Sequence, residues 1–460
     1  MRSYLTSDFL GWVDDNIAWG IGMIVFLLGT HIYMTYKTGF IQRHLFKGIK
    51  LSVTKDNSNK GELSVFGALM TALSSTIGTG NIIGVGTAIL GGGPGAIFWT
   101  WVGGFFGIAT KYAETWVAVK YRKLHSNGQY SGGAMVAFEK LKKPGLAKLY
   151  AVLCALAAFG IGCATQSSAI ANSVYENFNV NTAITGVILC GLIAIVVFGG
   201  VKSIAKVCER LVPVMSILYV VGCIAILIFN GKYLPQTFEV IIKSAFTGKA
   251  VFGGFMGLAI KKVVQSGISR GLFSNESGMG SAPQASAAGV AANAVKPALI
   301  GSTGVFWDTI IVCLMTGLVI VSSVISNDAI SLADGSITSS AQLVSKTFGQ
   351  IPYIGTPLLV FGILTFAYST ILGWSYYGEN AIRYLFGHKS IIPYRIAWVV
   401  IAFLGVIFKE SSVWIVADIL NAAMCVPNCI LIIMLGKEMV KDIKYYLIND
   451  NLDEVDPDLE

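Results

Sequence analysis

The chain has 460 residues, 54% of them hydrophobic and 13% charged, with a formal net charge of +8. A mean hydropathy of +0.68 excludes an ordinary soluble enzyme and points to an all-α polytopic membrane protein, each span needing about 20 mostly apolar residues. The basic residues sit in particular loops and form no single patch, which argues against nucleic acid as a partner.

Met1 to Gly11 carries one basic residue and no apolar core, so no cleavable signal peptide is expected. Eight cysteines are scattered through apolar stretches. The nearest pair, Cys425 and Cys429, is not a CxxC, so neither a disulfide framework nor a zinc site is expected. No HExxH motif, nucleotide-binding P-loop or TVGYG-like filter occurs, which argues against an intramembrane protease, an ATP-driven pump and a potassium-type channel.

Taken in order, span one runs from about Asn16 to Tyr36, after Asp14 and Asp15. Span two, about Leu63 to Leu90, is interrupted. Span three is about Ala96 to Val119, span four Leu149 to Asn172, span five Thr182 to Phe198 and span six Leu211 to Phe229. An amphipathic connector, Thr237 to Lys249, leads to a second interrupted segment, span seven, from about Val251 to Ala292. Span eight is about Ala298 to Ile325, span nine Tyr353 to Tyr377, span ten Ile391 to Phe408 and span eleven Val413 to Leu435. Most Lys and Arg lie in the loops after the odd-numbered spans. The positive-inside rule then puts the amino terminus outside a cell membrane and the carboxyl terminus in the cytoplasm. Asp453 to Glu460 is expected to be an acidic, disordered tail.

The first interruption carries glycine at 78, 80, 84 and 86, with Ser74, Ser75, Thr76, Thr79 and Asn81 beside them. Glycine disfavours a helix interior by roughly 0.5–1 kcal/mol relative to alanine. A membrane helix tolerates a break only where its freed backbone groups find protein, water or ligand. Residues near Ile77 to Gly80 therefore read as a break lining a cavity, the kind of place where secondary transporters hold substrate and coupling ion. A glycine face for close helix packing is the other reading.

The second interruption, Ile268 to Gly289, combines Gly271, Gly278, Gly280 and Pro283 with Arg270, Asn275 and Glu276. Ionisable groups at membrane depth normally face a cavity or a partner; Arg270 and Glu276 could neutralise each other. Spans two to six (63–230) and seven to eleven (231–436) each begin with a break. An odd number of spans per half gives an inverted-topology repeat. Residues 1–62 then add one amino-terminal helix and a basic loop, and 437–460 form a cytoplasmic tail.

GTGNIIGVGTAILGGGPGAIFWTW (Gly78 to Trp101), TKYAETWVAVKYR (Thr110 to Arg122) and RGLFSNESGMGSAPQASAA (Arg270 to Ala288) resemble the sodium:alanine/glycine symporter family over essentially the whole chain. The resemblance implies a leucine-transporter-like 5+5 inverted repeat of eleven transmembrane helices in all. It also implies cotransport of alanine or glycine with a cation, usually Na⁺.

An amino-acid carboxylate suits free N–H groups at a half-helix amino terminus, here Thr79 to Asn81, while Gly78 and Gly80 permit close approach. The ammonium would take carbonyls near Ser75 to Ile77 and Phe273 to Ser277. Asn275, Gly278 and Met279 fall in the same segment. Gln166 is a further pocket candidate, or else a bond between helices. Trp374, Tyr368, Phe159, Phe273 and Met279 are candidate walls. By likeness to the leucine-transporter architecture, a Na⁺ site would use carbonyls of Ser74 and Ile77 with Thr365, Ser369 and Thr370 on span nine. Those hydroxyls could instead bond back to their own helix. Asn81 would serve a second cation site or the substrate carboxylate. Lys111 and Glu114 are expected to pair. Asp308 and Asp418 have no assigned role, and Asp308 or Glu276 would be the carrier in a proton-coupled alternative. Oligomeric state is not legible in the sequence.

Overall fold

The computed structural model describes residues 9–54, 61–126, 128–247, 259–327, 329–332, 335–407 and 410–459. The start of span seven (251–258), Lys55, the end of span ten at Phe408 and the tail residue Glu460 lie outside the described residues, as do 1–8 of the region read for a signal peptide. Among the described residues the chain is all-α apart from one small hairpin, pairing Lys123–Leu124 with Tyr130–Ser131, and an isolated bridge between Leu63 and Gly289.

The helices used below are α1 (Ile21–Lys37), α2 (Val65–Thr76), α3 (Ile83–Gly92), α4 (Ala96–Lys120), α5 (Pro144–Phe178), α6 (Thr182–Val197), α7 (Gly200–Phe229) and α8 (Leu234–Thr247). They continue with α9 (Ile260–Asn275), α10 (Pro283–Ala288), α11 (Val295–Ser326), α12 (Ser340–Phe348), α13 (Gly355–Phe386), α14 (Ile391–Ile407) and α15 (Glu410–Asp442). Among the described residues, seven helical stretches are long and apolar enough to cross a membrane. These are Phe9–Lys37, α5, α7, α11, α13, His388–Ile407 and Ile415–Ile448. Shorter apolar helices are α2, α3 and α6. Seven rather than eleven qualify partly because the interrupted segments contribute halves, such as α2 and α3, each shorter than a bilayer is thick.

Local chemistry accounts for the ends. Ser64 caps α2, its Oγ accepting the Gly67 N–H at 2.9 Å. Pro144 opens α5 in the first turn, where a missing N–H costs nothing. This moves the start of span four back from Leu149, and α7 likewise begins at Gly200 instead of Leu211. Two helices carry wide π-helical stretches, Ala158–Ala164 in α5 and Phe306–Cys313 in α11. Such an extra residue swings the following side chains around the axis, and it is common at functional sites.

The two interrupted segments lie at the middle of the bundle. α2 packs on α13, α7 and α11; α9 packs on α3 and α4; and α4 also packs on α11. α1 lies outside, against α4 and α15. At one end the two segments meet backbone to backbone. Glu62 and Leu63 donate to the Ala288 carbonyl at 2.8 and 3.1 Å, and Val290 donates to Leu63 at 2.9 Å.

The carboxyl-terminal segment departs from the expected disordered tail. Asn293 donates to the carbonyls of Leu452 and Glu454 at 2.8 and 3.0 Å. Asp456 accepts from Lys120 at 2.6 Å, its N–H donates to Ala292 at 2.9 Å, and Leu452 and Leu459 are buried. An acidic composition suggested solvation, but the basic ends of α4 and α11 give those acids partners.

Candidate substrate and ion site

At the first break, α2 ends at Thr76, Ile77 and Gly78 are extended, and one 3₁₀ turn, Thr79–Asn81, leads into α3. In an unbroken helix the N–H groups of Gly78 and Thr79 would go to the carbonyls of Ser74 and Ser75. Here side chains take them. Gly78 donates to Asn81 Oδ1 at 2.9 Å and Thr79 to Gln166 Oε1 at 3.3 Å. The carbonyls at the end of α2 are thereby released from the helix. Gly78 is needed for space, since a Cβ there would lie 2.5 Å from Thr370 Oγ1.

α13 brings hydroxyls to these carbonyls. Ser369 Oγ reaches Ser74 O at 3.3 Å and Thr370 Oγ1 reaches Ile77 O at 3.4 Å. Both hydroxyls also reach Phe366 O within their own helix, at 2.9 and 3.0 Å. Back-bonding and cation binding are therefore compatible. A hydroxyl that gives its proton to Phe366 O still points lone pairs at the break. Two carbonyls and two hydroxyls, with no thiol or imidazole, form a hard-oxygen set suited to an alkali cation. Thr365 is not brought to this cluster; it is half-buried, and its hydroxyl bonds to Phe361 O at 2.7 Å.

The second break is held by protein groups. α9 ends at Asn275, and the left-handed residues Glu276, Gly278 and Gly280 (φ +54°, +99° and +71°) carry the chain to α10. Glycine at the last two removes the strain of a Cβ in that region. Lys111 donates to Glu276 O at 2.8 Å, Asn428 to Gly278 O at 2.8 Å, Tyr150 to Met279 O at 2.8 Å, and Gly280 N–H to Glu114 Oε1 at 3.0 Å. The Glu276 carboxylate accepts from Trp374 Nε1 at 2.8 Å and from Ser281 Oγ. Lys111 and Glu114 pair as expected, at 3.5 Å.

Asp308, in the π-helical stretch of α11, joins the two breaks. Its carboxylate accepts from Asn81 Nδ2 at 2.7 Å, from Ser274 Oγ at 3.0 Å and from Thr309 Oγ1 at 2.7 Å. Asn275 donates to that same Thr309 hydroxyl at 3.0 Å. The cluster is fully buried. The sequence showed only an unassigned intramembrane acid; its partners stand 227 and 34 residues away.

Between the breaks lies a small cavity, with about 10 Å³ open to the centre of a water-sized sphere, lined by Ser75, Thr76, Gly78, Gly80, Ile161, Gln166, Phe273, Ser274, Glu276, Thr370 and Trp374. Gln166 spans it, accepting from Thr79 and donating through Nε2 to Ile161 O at 3.1 Å. Of the residues read from sequence, Gly78, Gly80, Gln166, Phe273, Thr370 and Trp374 line this cavity. Thr79 and Asn81 sit behind it. Ser277 N–H turns onto Asn275 Oδ1, and Gly278 packs toward Leu27 of α1, so neither lines it. The Met279 and Asn275 side chains are buried outside the lining. Phe159 packs on Tyr394 and Trp398, and Tyr368 bonds to Leu192 O. A larger cleft near Lys202 and Arg395 touches none of the broken backbone between Thr76 and Gly80.

A largely buried ion pair stands beside the cavity. Arg270 does not pair with Glu276; it reaches Asp418 on α15, at 2.7 Å from NH2 and 3.4 Å from NH1. Its guanidinium lies 5.6 Å from the ring centre of Phe273, which lines the cavity. The pentapeptide Gly267–Gly271 also has the GxSxG spacing of a hydrolase nucleophile. It lies inside α9, and Ser269 Oγ bonds only to Ser266 O at 3.4 Å, so the strand-to-helix elbow of a hydrolase is missing.

Two interrupted helices around a buried polar cavity define a polytopic membrane carrier, and the fold agrees with solved carriers. It is similar to MhsT in complex with L-phenylalanine, with a TM-score of 0.60 at 16% identity, over 82% of this chain and 90% of that one. It is also similar to a Na⁺-coupled sialic acid symporter in a substrate-bound outward-open state, with a TM-score of 0.50 at 13% identity, over 92% and 86%. At these identities the likeness is one of fold. The chain belongs to the sodium:alanine symporter family, whose model matches residues 3–458. It is 44% identical over 449 residues to the sodium/alanine symporter AgcS of Methanococcus maripaludis, covering 95% of this chain and 97% of that protein. It is 33% identical over 443 residues to the probable sodium/glutamine symporter GlnT of Bacillus subtilis, covering 94% and 89%.

Proposed function

We propose that this chain imports a small neutral amino acid, alanine or glycine, across the cell membrane together with Na⁺ by alternating access. The observation that carries this is the meeting of released carbonyls at Ser74 and Ile77 with the Ser369 and Thr370 hydroxyls, directly beside a small closed cavity. Na⁺ binds between α2 and α13 and draws the two together. The amino acid occupies the cavity, its carboxylate toward the backbone of Thr79 to Asn81 and its ammonium toward carbonyls of the broken ends and Glu276. Ion and substrate each favour the same closed arrangement, which couples them.

Asp308, with Ser274 and Asn81, offers a second position for a cation, because its buried carboxylate is an acceptor only and stands between the two breaks. The amino terminus lies outside and the carboxyl terminus in the cytoplasm. The five-plus-five inverted repeat, with α1 outside it, supplies the two moving halves.

The test is uptake of labelled alanine into proteoliposomes, with sodium and proton gradients imposed separately. Uptake should follow the sodium gradient and survive a proton uncoupler, and glycine should compete while leucine and tryptophan should not. Sodium-independent uptake driven by a pH gradient would transfer the assignment to proton coupling, with Asp308 or Glu276 as the carrier.

A further inference from the structure

α1 and the turn before it stand outside the repeat, yet they reach the ion pair beside the cavity. The π-helical turn Asp14–Ala18 packs against α15, the helix that carries Asp418. It is also tied to α9. Gln265 donates to the carbonyls of Asp15 and Trp19 at 2.8 and 2.9 Å, and Lys262 pairs with Asp15 at 3.1 Å. Asp14 lies within electrostatic reach of Asp418 and Arg270, as well as Asp15 and Lys262. Its Oδ1 is buried and has no hydrogen-bond partner.

A buried carboxylate oxygen without a donor is costly, and it persists only if something offsets it. The guanidinium that would satisfy it is nearby and engaged elsewhere. We propose that Asp14 is the second berth of Arg270: when the closure over Phe273 opens, Arg270 leaves Asp418 and is received by Asp14. Asp14 is thus a positioning residue of the transport cycle, contributed by the helix outside the repeat. Asp418 holds the closed arrangement and Asp14 the open one. Without a receiving carboxylate, opening would strand a buried cation, and the closed state would dominate. This assignment rests on the alternating-access reading given above, but not on which amino acid or ion is carried.

The two carboxylates must therefore act with opposite sign, which a merely structural role would not produce. Accessibility of the cavity is read as the rate at which a membrane-impermeant methanethiosulfonate labels Ile161→Cys, a cavity-lining position. The reagent is supplied to each side of the membrane in turn, and the protein without the added cysteine serves as the blank. On that background Asp14→Asn should slow labelling from the amino-terminal side about tenfold, and Asp418→Asn should speed it by a similar factor. The double variant should return to within about threefold of the parent, and Asp14→Glu should label like the parent. Asp15→Asn, at an exposed pair, should leave the rate unchanged. Labelling in Asp14→Asn equal to the parent, or shifted in the same direction as in Asp418→Asn, overturns the assignment. A thermal midpoint measured on each purified variant separates a lost fold from a shifted gate, and if Asp14→Asn does not fold, Asp14→Ser, which also removes the carboxylate and should slow labelling alike, carries the test. If the Ile161→Cys series labels as described while wild-type protein fails to take up alanine, the result counts against the proposed substrate and leaves the role of Asp14 standing.

Discussion

The Asn81 side chain works in two directions. Its oxygen takes the Gly78 N–H at 2.9 Å on one side, and its nitrogen gives a hydrogen bond to Asp308 at 2.7 Å on the other. One amide therefore ties the break in the first interrupted span to α11, and through Ser274 to the other interrupted helix.

Replacing Asn81 with alanine strips a partner from both groups at full burial. Asp308 keeps Ser274 and Thr309, but the orphaned Gly78 N–H costs about 1–3 kcal/mol, so the thermal midpoint of purified protein should fall and the substrate concentration for half-maximal uptake should rise at least tenfold. Asn81→Asp sets a second carboxylate against Asp308, and two such groups at contact distance share a proton. Its uptake should be poorer than that of the alanine variant at neutral pH and should improve as the pH falls, because protonation restores a donor between the two. An Asn81→Asp variant with a flat pH profile would mean that the pair is not in contact.

Gly78 and Gly84 separate space from helix propensity. A Cβ at Gly78 would meet Thr370 Oγ1 at 2.5 Å, whereas one at Gly84 meets nothing within 4 Å. Gly78→Ala should therefore abolish sodium-dependent uptake with membrane insertion intact, and Gly84→Ala should transport normally. Normal uptake in Gly78→Ala would show that α13 gives way at this contact.

The hydroxyls of α13 can be told apart by sodium titration. Ser369→Ala and Thr370→Ala should each raise the sodium concentration for half-maximal uptake about tenfold or more, since ~1.4 kcal/mol is a factor of ten. Substrate affinity should drop at low sodium and recover at saturation, as reciprocal coupling requires. Thr370→Ser keeps the oxygen and should keep the sodium midpoint. Thr365→Ala should move it far less, its hydroxyl being engaged with Phe361 O. Unchanged midpoints in both Ser369→Ala and Thr370→Ala would mean that the cation binds elsewhere.

The docked carboxyl-terminal segment gives a prediction about protection. Asn293→Ala removes both bonds to Leu452 and Glu454. Limited proteolysis after residue 450 should become several times faster, while the same cleavage in wild-type protein stays slow. Equal rates would show that Lys120 and Asp456 hold the segment alone.

Sequence reading went furthest where the backbone misbehaves locally. Glycines and small polar residues within ten positions of one another were enough to locate the break at Ile77–Gly80, and the same reasoning found the one at Glu276–Gly280. The wide turns in α5 and α11 left no comparable signature, because an extra residue in a helix changes the direction of side chains and not the apolar composition. The role of Asp308 was out of reach for that reason, and because its partners come from two distant segments. Arg270 was matched to Glu276 by nearness in the chain, yet one turn of helix and a left-handed residue point their side chains to different neighbours. The tail was misjudged because charge counts cannot show that Lys120 and Lys296 wait opposite.

The interrupted segments are held in place beyond the cavity by different materials. At one end a guanidinium meets a carboxylate, both of them side chains. At the other, the Val290 N–H donates to the Leu63 carbonyl and the Leu63 N–H to that of Ala288, and Arg122 braces the seam through the Gly289 carbonyl at 2.9 Å. A point substitution can delete the first lock outright, but every residue except proline brings the same N–H and C=O to the second. Variation among related chains can thus retune how readily the charged end opens while the seam stays as it is. A variant biased toward the seam-open state is correspondingly hard to reach by exchanging side chains there. Proline at Leu63 or Val290, which removes a donor without adding a charge, is the direct way in.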